Sequence, residues 1–228
     1  MTEVVTLAVN IRTVLFDLDG TLADTAPDLA LALNTLLKEE GKQPLSYERI
    51  RQEASYGGKA LITLGFGLEP TSPQFEPLRQ RFLNLYKSKL CEHTTLFKGM
   101  DKVINDIESA GLNWGIVTNK PSWLTDPLLK LMGLENKASA IVSGDTTNNS
   151  KPHPGPLLHA CETAGSQPGQ CLYVGDAERD IEAGQRAGMK TLVALFGYLR
   201  DDDQPENWGA DGLVNTPEEI LSWLNEHQ

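Results

Sequence analysis

Two carboxylates follow a short apolar run near the start of the chain. The segment VLFDLDGTLADT (Val14–Thr25) places Asp17 and Asp19 with one residue between them, and Gly20 permits a tight turn directly after them. Like charges this close repel each other unless a positive group lies between them. The spacing therefore predicts a site where two acids work beside a cation.

Three further polar segments follow other apolar runs. They are Thr118–Lys120, Ser150–Pro152 and Gly175–Asp176, with Asp180 four residues beyond the last. Each segment alone is typical of a turn or a helix cap. Open α/β sheets, however, carry their function at the carboxyl ends of the strands, which meet at one edge. Together with the first pair of acids, the segments predict one polar site.

The elements that would position these residues alternate between strand and helix. Apolar runs without alternation are typical of strands covered on both faces, and helical patterns ending at a glycine separate the later runs. This order indicates an α/β fold with a Rossmann-like, mostly parallel sheet. The predicted strands are Thr13–Phe16, Asn113–Thr118, Ser139–Ser143, Cys171–Gly175, Thr191–Leu195 and a weaker Gly212–Val214. The predicted helices between them are Met100–Ala110, Thr125–Met132, Gly155–Ala164 and Asp180–Ala187.

A helical insertion interrupts this rhythm after the first strand. No convincing strand is predicted between Phe16 and Asn113, whereas helical patterns begin near Pro27, Ser46 and Phe75. We therefore expect an all-helical cap over residues 24–95 and an α/β core formed by residues 1–23 and 96–228.

Composition limits the classes of partner. The 228 residues carry 20 basic and 31 acidic side chains, a formal charge of -11, which argues against a nucleic-acid or anionic-membrane partner. The three cysteines form no CxxC pattern and are typical of reduced thiols in a cytoplasmic protein. The N-terminus lacks the features of a signal peptide, and no apolar stretch reaches the ~18 residues of a membrane span. We expect a cytoplasmic monomer or homodimer.

The four polar segments resemble the motifs of the haloacid dehalogenase superfamily, in the order that this family shows. They read DLDGT, VTNK, SKP and GDAERD, and they span the whole predicted core. The helical insertion is similar to the first type of cap in this family. The stretches FDLDGTLADTAPDL and VGDAERDIEAGQRAGM resemble its phosphoglycolate phosphatase branch. The stretches LFKGM, WGIVTNKP and NWGAD also resemble bacterial N-acetylmuramic acid 6-phosphate phosphatases of that branch.

This resemblance implies a phosphatase with an aspartyl-phosphate intermediate. Asp17 would be the nucleophile, and Asp19 would protonate the leaving oxygen and then activate water. The positive group between the acids would be Mg²⁺, held by Asp17, Asp176 and the backbone carbonyl of Asp19. Asp180, one helical turn beyond Asp176, would lie outside the direct ligands of the ion or contact it through a water molecule.

The remaining motif residues would hold the phosphoryl group. The resemblance implies that Thr118, through its hydroxyl, and Asn119, through its backbone or side chain, bind the phosphoryl oxygens. Lys151 would supply a fixed positive charge beside Asp17 and the phosphoryl group. The role of Lys120 stays open, since it could equally face solvent at the cleft.

Substrate selection is expected from the cap. Gly57 and Gly58 interrupt a helical pattern and would let backbone N–H groups approach a substrate anion, although a plain turn explains them equally well. Lys59 could meet a substrate carboxylate or only solvent. The branch more often shows Val-Gly-any-Gly here, and this departure leaves the substrate open between phosphoglycolate and N-acetylmuramic acid 6-phosphate.

Two other functions remain compatible with the sequence. A phosphosugar mutase would have similar motifs and a similar cap, but it would keep water away from the aspartyl-phosphate. A regulatory protein on the same fold would not need the intact set Asp17, Asp19, Thr118, Lys151 and Asp176. A dehalogenase does not fit, because that branch lacks the acid at the position of Asp19.

Overall fold

The computed structural model of the chain describes residues 11–227, which form eight strands and nine α-helices. The segment behind the signal-peptide prediction lies mostly outside these residues. The strands are β1 (Thr13–Phe16), β2 (Ala23–Asp24), β3 (Thr95–Leu96), β4 (Asn113–Val117), β5 (Ala140–Val142), β6 (Cys171–Gly175), β7 (Lys190–Ala194) and β8 (Gly212–Val214). The helices are α1 (Ala26–Glu39), α2 (Tyr47–Glu53), α3 (Gly57–Phe66), α4 (Phe75–Ser88), α5 (Met100–Ser109), α6 (Ser122–Leu131), α7 (Gly155–Thr163), α8 (Glu178–Ala187) and α9 (Glu219–His227).

Six strands form one parallel sheet in the order β5-β4-β1-β6-β7-β8. The predicted α/β class is therefore confirmed, and β1 lies between β4 and β6. Successive residues of β1 enter different cores, because side chains alternate along a strand. Val14 and Phe16 pack with α5 and α9, whereas Leu15 packs with α7 and α8 on the other face.

Helices α1 to α4 follow β1 and pack around a separate apolar core. Leu33 and Leu36 of α1 meet Phe82 and Tyr86 of α4 in this cluster, and all four side chains are buried. The sequence indicates an apolar helical segment after Gly57 and Gly58 but not its bounds. Helix α3 begins at Gly57 itself, although glycine is a poor helix former. A fold with a helical cap on a parallel-sheet core is confirmed.

The two connections between the helical cap and the sheet domain pair with each other. β2 and β3 form a two-stranded antiparallel ribbon, with Ala23 opposite Leu96. The prediction of no strand in this region was wrong, because a two-residue strand has no periodicity that a sequence pattern could reveal. Asp28 reinforces the junction by accepting hydrogen bonds from the backbone N–H groups of His93 and Thr94. Within residues 11–227, no helix has the length and apolarity needed to cross a membrane.

Candidate active site

Lys151 lies at the centre of the polar edge of the sheet and is almost fully buried. Its Nζ lies 2.9 Å from Asp17 Oδ1 and 2.7 Å from Asp180 Oδ1. The same nitrogen lies 2.8 Å from the carbonyl oxygen of Val117 and 2.7 Å from the Tyr173 hydroxyl. An ammonium group surrounded by four oxygens is held in one place, so it presents a fixed positive charge beside Asp17.

Asn119 holds the loop that carries Lys151. Its side-chain amide donates to the Lys151 carbonyl oxygen at 3.0 Å, and its Oδ1 accepts from the Lys151 backbone N–H at 3.0 Å. The sequence left open whether Asn119 would contact a phosphoryl group by its backbone or its side chain. Because this pair of bonds occupies the side chain, the backbone N–H is the group that remains for such a contact.

Asp176 follows β6 and is buried beside the first acid. Its Oδ2 accepts hydrogen bonds from the Ser55 hydroxyl at 2.5 Å and from the Tyr198 backbone N–H at 2.9 Å. Its Oδ1 has one long contact, 3.5 Å from the Thr21 hydroxyl. Ser55 belongs to the cap, so one hydrogen bond joins the cap directly to an acid of the sheet domain.

Asp17, Asp176 and Asp180 bring their carboxylates together in one buried cluster. One oxygen from each lies within 4.8 Å of the other two. Burial raises the pKa of Asp17, against the opposing effect of the Lys151 ammonium. Burial also raises the pKa of Asp176 to about 7, and repulsion from Asp17 and Asp180 adds to this. A cation between the acids would offset both the burial of their charges and the repulsion between them.

The hydrogen bonds indicate which oxygens could bind that cation. Both oxygens of Asp180 have protein donors: Lys151 reaches Oδ1, and the Ala177 backbone N–H reaches Oδ2. The recorded donors to Asp17 all reach Oδ1, which leaves Oδ2 available among the described residues. Hard oxygen ligands suit Mg²⁺, so Asp17 Oδ2 and Asp176 Oδ1 fit a magnesium ion best.

Asp19 lies outside that cluster and is bound by two donors. The Thr25 hydroxyl and Lys120 Nζ both reach its Oδ1, at 2.5 and 2.6 Å. Lys120 is itself buried, with its ammonium 4.8 Å from the centre of the Tyr86 ring. Burial lowers the pKa of Lys120, but the adjacent Asp19 carboxylate and the Tyr86 side chain together more than offset this, and the net shift is upward.

A cavity of about 380 Å³ lies between the acids and the cap. Asp17, Asp19, Thr118 and Asn119 line its floor, while the cap wall comes from the helices between β2 and β3. Gly57 and Gly58 line this wall as the sequence suggested, at the start of α3. Gly57 has a φ of 69°, a left-handed conformation that other residues adopt only at a cost.

Several cavity residues were missed from the sequence. Arg79 and Tyr86 of α4, Arg179 of α8 and Ser55 of the cap all line the cavity. Arg179 was detectable, because it lies inside the GDAERD motif. Arg79 and Tyr86 gave no distinct signal, since both fit an ordinary amphipathic helix. Lys120 was named, but its burial and its contact with Asp19 were not foreseen.

The chain belongs to the haloacid dehalogenase-like hydrolases, whose family model matches residues 14–194. It is 41% identical over 210 residues to an N-acetylmuramic acid 6-phosphate phosphatase of Pseudomonas putida, covering 92% of this chain and 94% of that one. It is also 41% identical over 209 residues to a phosphoglycolate phosphatase of Xanthomonas campestris, with the same coverage of 92% and 94%. This protein is therefore an enzyme, a phosphatase of that family.

Solved structures agree with this assignment. The crystal structure of a predicted phosphoglycolate phosphatase from Haemophilus somnus superposes with a TM-score of 0.83 at 27% sequence identity. The match covers 94% of this chain and 98% of that one, so it includes both the sheet domain and the cap.

Proposed function

We propose that this phosphatase hydrolyses a phosphate monoester that also carries a carboxylate, through a covalent phosphate on Asp17. The observation that carries the proposal is the position of Asp17 on the cavity floor, buried beside the fixed Lys151 ammonium. A carboxylate held in this way can attack phosphorus in line, which splits the hydrolysis into two easier displacements.

In the first displacement, a carboxylate oxygen of Asp17 forms a bond to phosphorus and the ester oxygen leaves with its electron pair. Asp19, two residues further on, gives that oxygen a proton. Thr25 and Lys120 both bind Asp19 through Oδ1, which favours Oδ2 as the oxygen that meets the leaving group. In the second displacement, Asp19 takes a proton from water, and the water oxygen forms a bond to phosphorus. The bond between phosphorus and Asp17 then breaks, which frees inorganic phosphate and restores the carboxylate.

The phosphoryl oxygens need donors at the same place. Lys151 supplies charge, and Thr118 supplies a hydroxyl whose oxygen already accepts the Lys120 backbone N–H at 3.1 Å. With that oxygen accepting, the hydroxyl hydrogen of Thr118 is free to donate to a phosphoryl oxygen. The backbone N–H of Asn119 completes the proposed set of donors.

Asp17 and Asp176 would hold Mg²⁺, with the backbone carbonyl of Asp19 as the third protein ligand that the family resemblance implies. The bound ion would neutralise phosphoryl charge and offset the repulsion between the acids. Asp180 would act through Lys151, whose ammonium it holds at 2.7 Å.

Two substrates appear in the names of the relatives, and they differ in size. Phosphoglycolate is a two-carbon acid, whereas pockets for sugar-sized and drug-sized ligands are roughly 300–1,000 Å³. The cavity of about 380 Å³ falls in this range, and its wall includes the apolar side chains of Leu29, Phe82 and Leu124. We propose phosphoglycolate as the minimal substrate class and N-acetylmuramic acid 6-phosphate as the candidate that the cavity size favours.

The test is release of inorganic phosphate from phosphoglycolate, N-acetylmuramic acid 6-phosphate and acetyl phosphate, with Mg²⁺ and with excess chelator. We expect turnover with Mg²⁺, none with chelator, and inhibition by Ca²⁺, which accepts looser coordination and would draw in both oxygens of Asp17. An isomerisation assay on a sugar phosphate serves as the control for a mutase. Absence of phosphate release from every ester, or full activity in chelator, would contradict the proposal.

A further inference from the structure

We infer that Arg79 of α4 binds the carboxylate of the substrate, and that this carboxylate lies a sugar ring away from the phosphate ester. The inference rests on the proposed function. It narrows that function to one class of substrate, a sugar phosphate with an acidic substituent on a ring carbon other than the one that bears the phosphorylated group.

One face of α4 forms a continuous strip along the cavity. Arg79, Phe82, Leu83 and Tyr86 all line the cavity, and the last three follow Arg79 by three, four and seven residues, which places all four on one side of the helix. The strip is therefore apolar in its middle and polar at both ends. A sugar ring fits such a strip, because its faces are apolar and its substituents are polar.

Tyr86 marks the end of the strip that lies at the chemistry. The ammonium of Lys120 lies 4.8 Å from the centre of its ring, and the same ammonium binds Asp19 at 2.6 Å. Arg79 lies seven residues earlier on α4, which corresponds to about 10 Å along a helix. Arg79 is therefore separated along α4 from the end of the strip that lies at the chemistry by roughly the length of a hexose with its substituents.

The hydrogen bonding of Arg79 leaves it able to take a substrate carboxylate. Its Nε is buried and has no hydrogen-bond partner in residues 11–227. Its NH1 bonds only to Glu76 of the same helix at 2.7 Å, and the Glu76 side chain is 65% exposed. An exposed pair of this kind contributes little, so a substrate carboxylate can displace it and accept two parallel hydrogen bonds from the guanidinium.

The second arginine of the cavity lies beside the acidic cluster rather than on the cap wall. Arg179 NH2 donates to the Ser55 carbonyl oxygen at 2.7 Å, and its guanidinium carbon lies 5.2 Å from the centre of the Tyr56 ring. The carboxylates of Asp17, Asp176 and Asp180 act on it electrostatically. Its Nε, like that of Arg79, is buried without a partner in residues 11–227, but its charge balances the acids at the site of the chemistry. Arg79, on the cap wall, is therefore the arginine placed for an anion distant from the phosphate.

A matched pair of substrates isolates the carboxylate. N-acetylmuramic acid 6-phosphate and N-acetylglucosamine 6-phosphate share the ring and the phosphate ester, and only the former carries the lactyl carboxylate. The variants are Arg79→Gln and, as a control on the same helix, Arg81→Gln, whose side chain is exposed and pairs with Glu39 at 2.9 Å. A third variant, Lys59→Gln, tests the other cation on the cap wall.

We expect wild type to prefer the muramic ester, and Arg79→Gln to lose roughly 10- to 100-fold in kcat/KM on it, mainly through KM. The same variant should stay within twofold of wild type on the glucosamine ester, and Arg81→Gln should match wild type on both. The inference would be overturned if Arg79→Gln lost activity equally on both esters or on neither. It would also be overturned if the selective loss appeared in Lys59→Gln instead. If wild type hydrolyses phosphoglycolate but neither sugar ester, this inference fails while the proposed phosphatase mechanism stands.

Discussion

The two walls of the cavity are bonded in opposite ways. On the sheet side, Lys151 Nζ has four oxygen neighbours within 2.9 Å, and both oxygens of Asp180 have protein donors. On the cap side, Arg79 Nε is buried with no hydrogen-bond partner in residues 11–227. On the sheet wall, Lys151 and Asp180 are fully bonded and the open atoms belong to the acidic cluster and its neighbour Arg179, whose buried Nε also has no partner in residues 11–227. On the cap wall, the open donor is Arg79, which a ligand would complete.

This difference indicates how the enzyme divides its work. Groups that act on every phosphate ester gain from being fixed before the substrate arrives, because no reorganisation is then needed at the moment of reaction. Groups that select one leaving group increase specificity when they have no partner within the protein. A substrate that lacks the matching polar atom leaves such a group unpaired and therefore binds more weakly. We therefore expect substitutions on the sheet side to impair all substrates and those on the cap side to impair one.

The largest effect is expected from Asp17→Asn. The amide keeps the shape of the side chain but is a far poorer nucleophile and metal ligand, so kcat should fall at least about 10³-fold on every ester. Asp101→Asn, at an exposed position of α5, is the matched control. Phosphate release by Asp17→Asn within tenfold of wild type would contradict the assignment of the nucleophile.

Next in size is Lys151→Met. Loss of the ammonium leaves Asp17 and Asp180 buried without their counter-charge, which should lower the free energy of unfolding by about 3 kcal/mol and kcat by about 100-fold or more. Denaturant unfolding and steady-state kinetics measure the two effects. The double variant Lys151→Met/Asp180→Asn should recover part of the stability, and strict additivity of the two single changes would rule out the coupling.

A smaller and selective effect is expected from Gly58→Val on the cap side. A Cβ at Gly58 would lie 3.3 Å from Leu83 Cδ2 and 3.4 Å from the ring of Phe82, so the apolar strip must shift. The loss in kcat/KM should be at least about tenfold greater for the preferred sugar ester than for acetyl phosphate, a difference of ~1.4 kcal/mol. Gly169→Val, where a Cβ meets nothing within 4 Å, is the control. Equal losses on both esters would remove this loop from substrate selection.

The smallest effect is a pH-dependent stability difference on the sheet side. Since burial raises the pKa of Asp176 to about 7, the folded metal-free protein holds a proton that the unfolded chain releases near its ordinary value of 3.8. Stability from this group is therefore lost as pH rises toward 7. Relative to wild type without metal, Asp176→Asn should gain a few degrees in Tm between pH 5 and pH 8. A constant difference across that range would show that Asp176 does not titrate there.

The sheet domain was more predictable than the cap, for physical reasons. Strands buried on both faces read as continuous apolar runs, and β1, β6 and β8 have the predicted bounds. Predicted strand ends elsewhere differ by one residue: Thr118 and Ser143, for example, follow β4 and β5 rather than ending them. Helix α8 begins two residues earlier than predicted, at Glu178.

Contacts between side chains were harder to predict than strands and helices, in the cap and in the sheet domain alike, because the fold and not the local sequence brings the partners together. Nothing near Arg79 in the sequence reveals that it lines the same cavity as Asp19, and a lone arginine on an amphipathic helix ordinarily faces solvent. Lys120 lies beside a motif, yet its partner Asp19 is 101 positions away. Cys161 and Cys171 likewise meet, with their sulfur atoms 3.0 Å apart, although their spacing gave no pattern.

The most direct test of the central claim is to trap the phosphoryl group on the enzyme. Wild type and Asp19→Asn would be mixed with a labelled ester and Mg²⁺, quenched in acid within the first turnover, reduced with borohydride and mapped by mass spectrometry. We predict homoserine at position 17, formed from the aspartyl-phosphate, with more of it in Asp19→Asn because the second displacement is slowed. A burst of released alcohol with no modification at position 17, or with phosphate on another residue, would contradict the account.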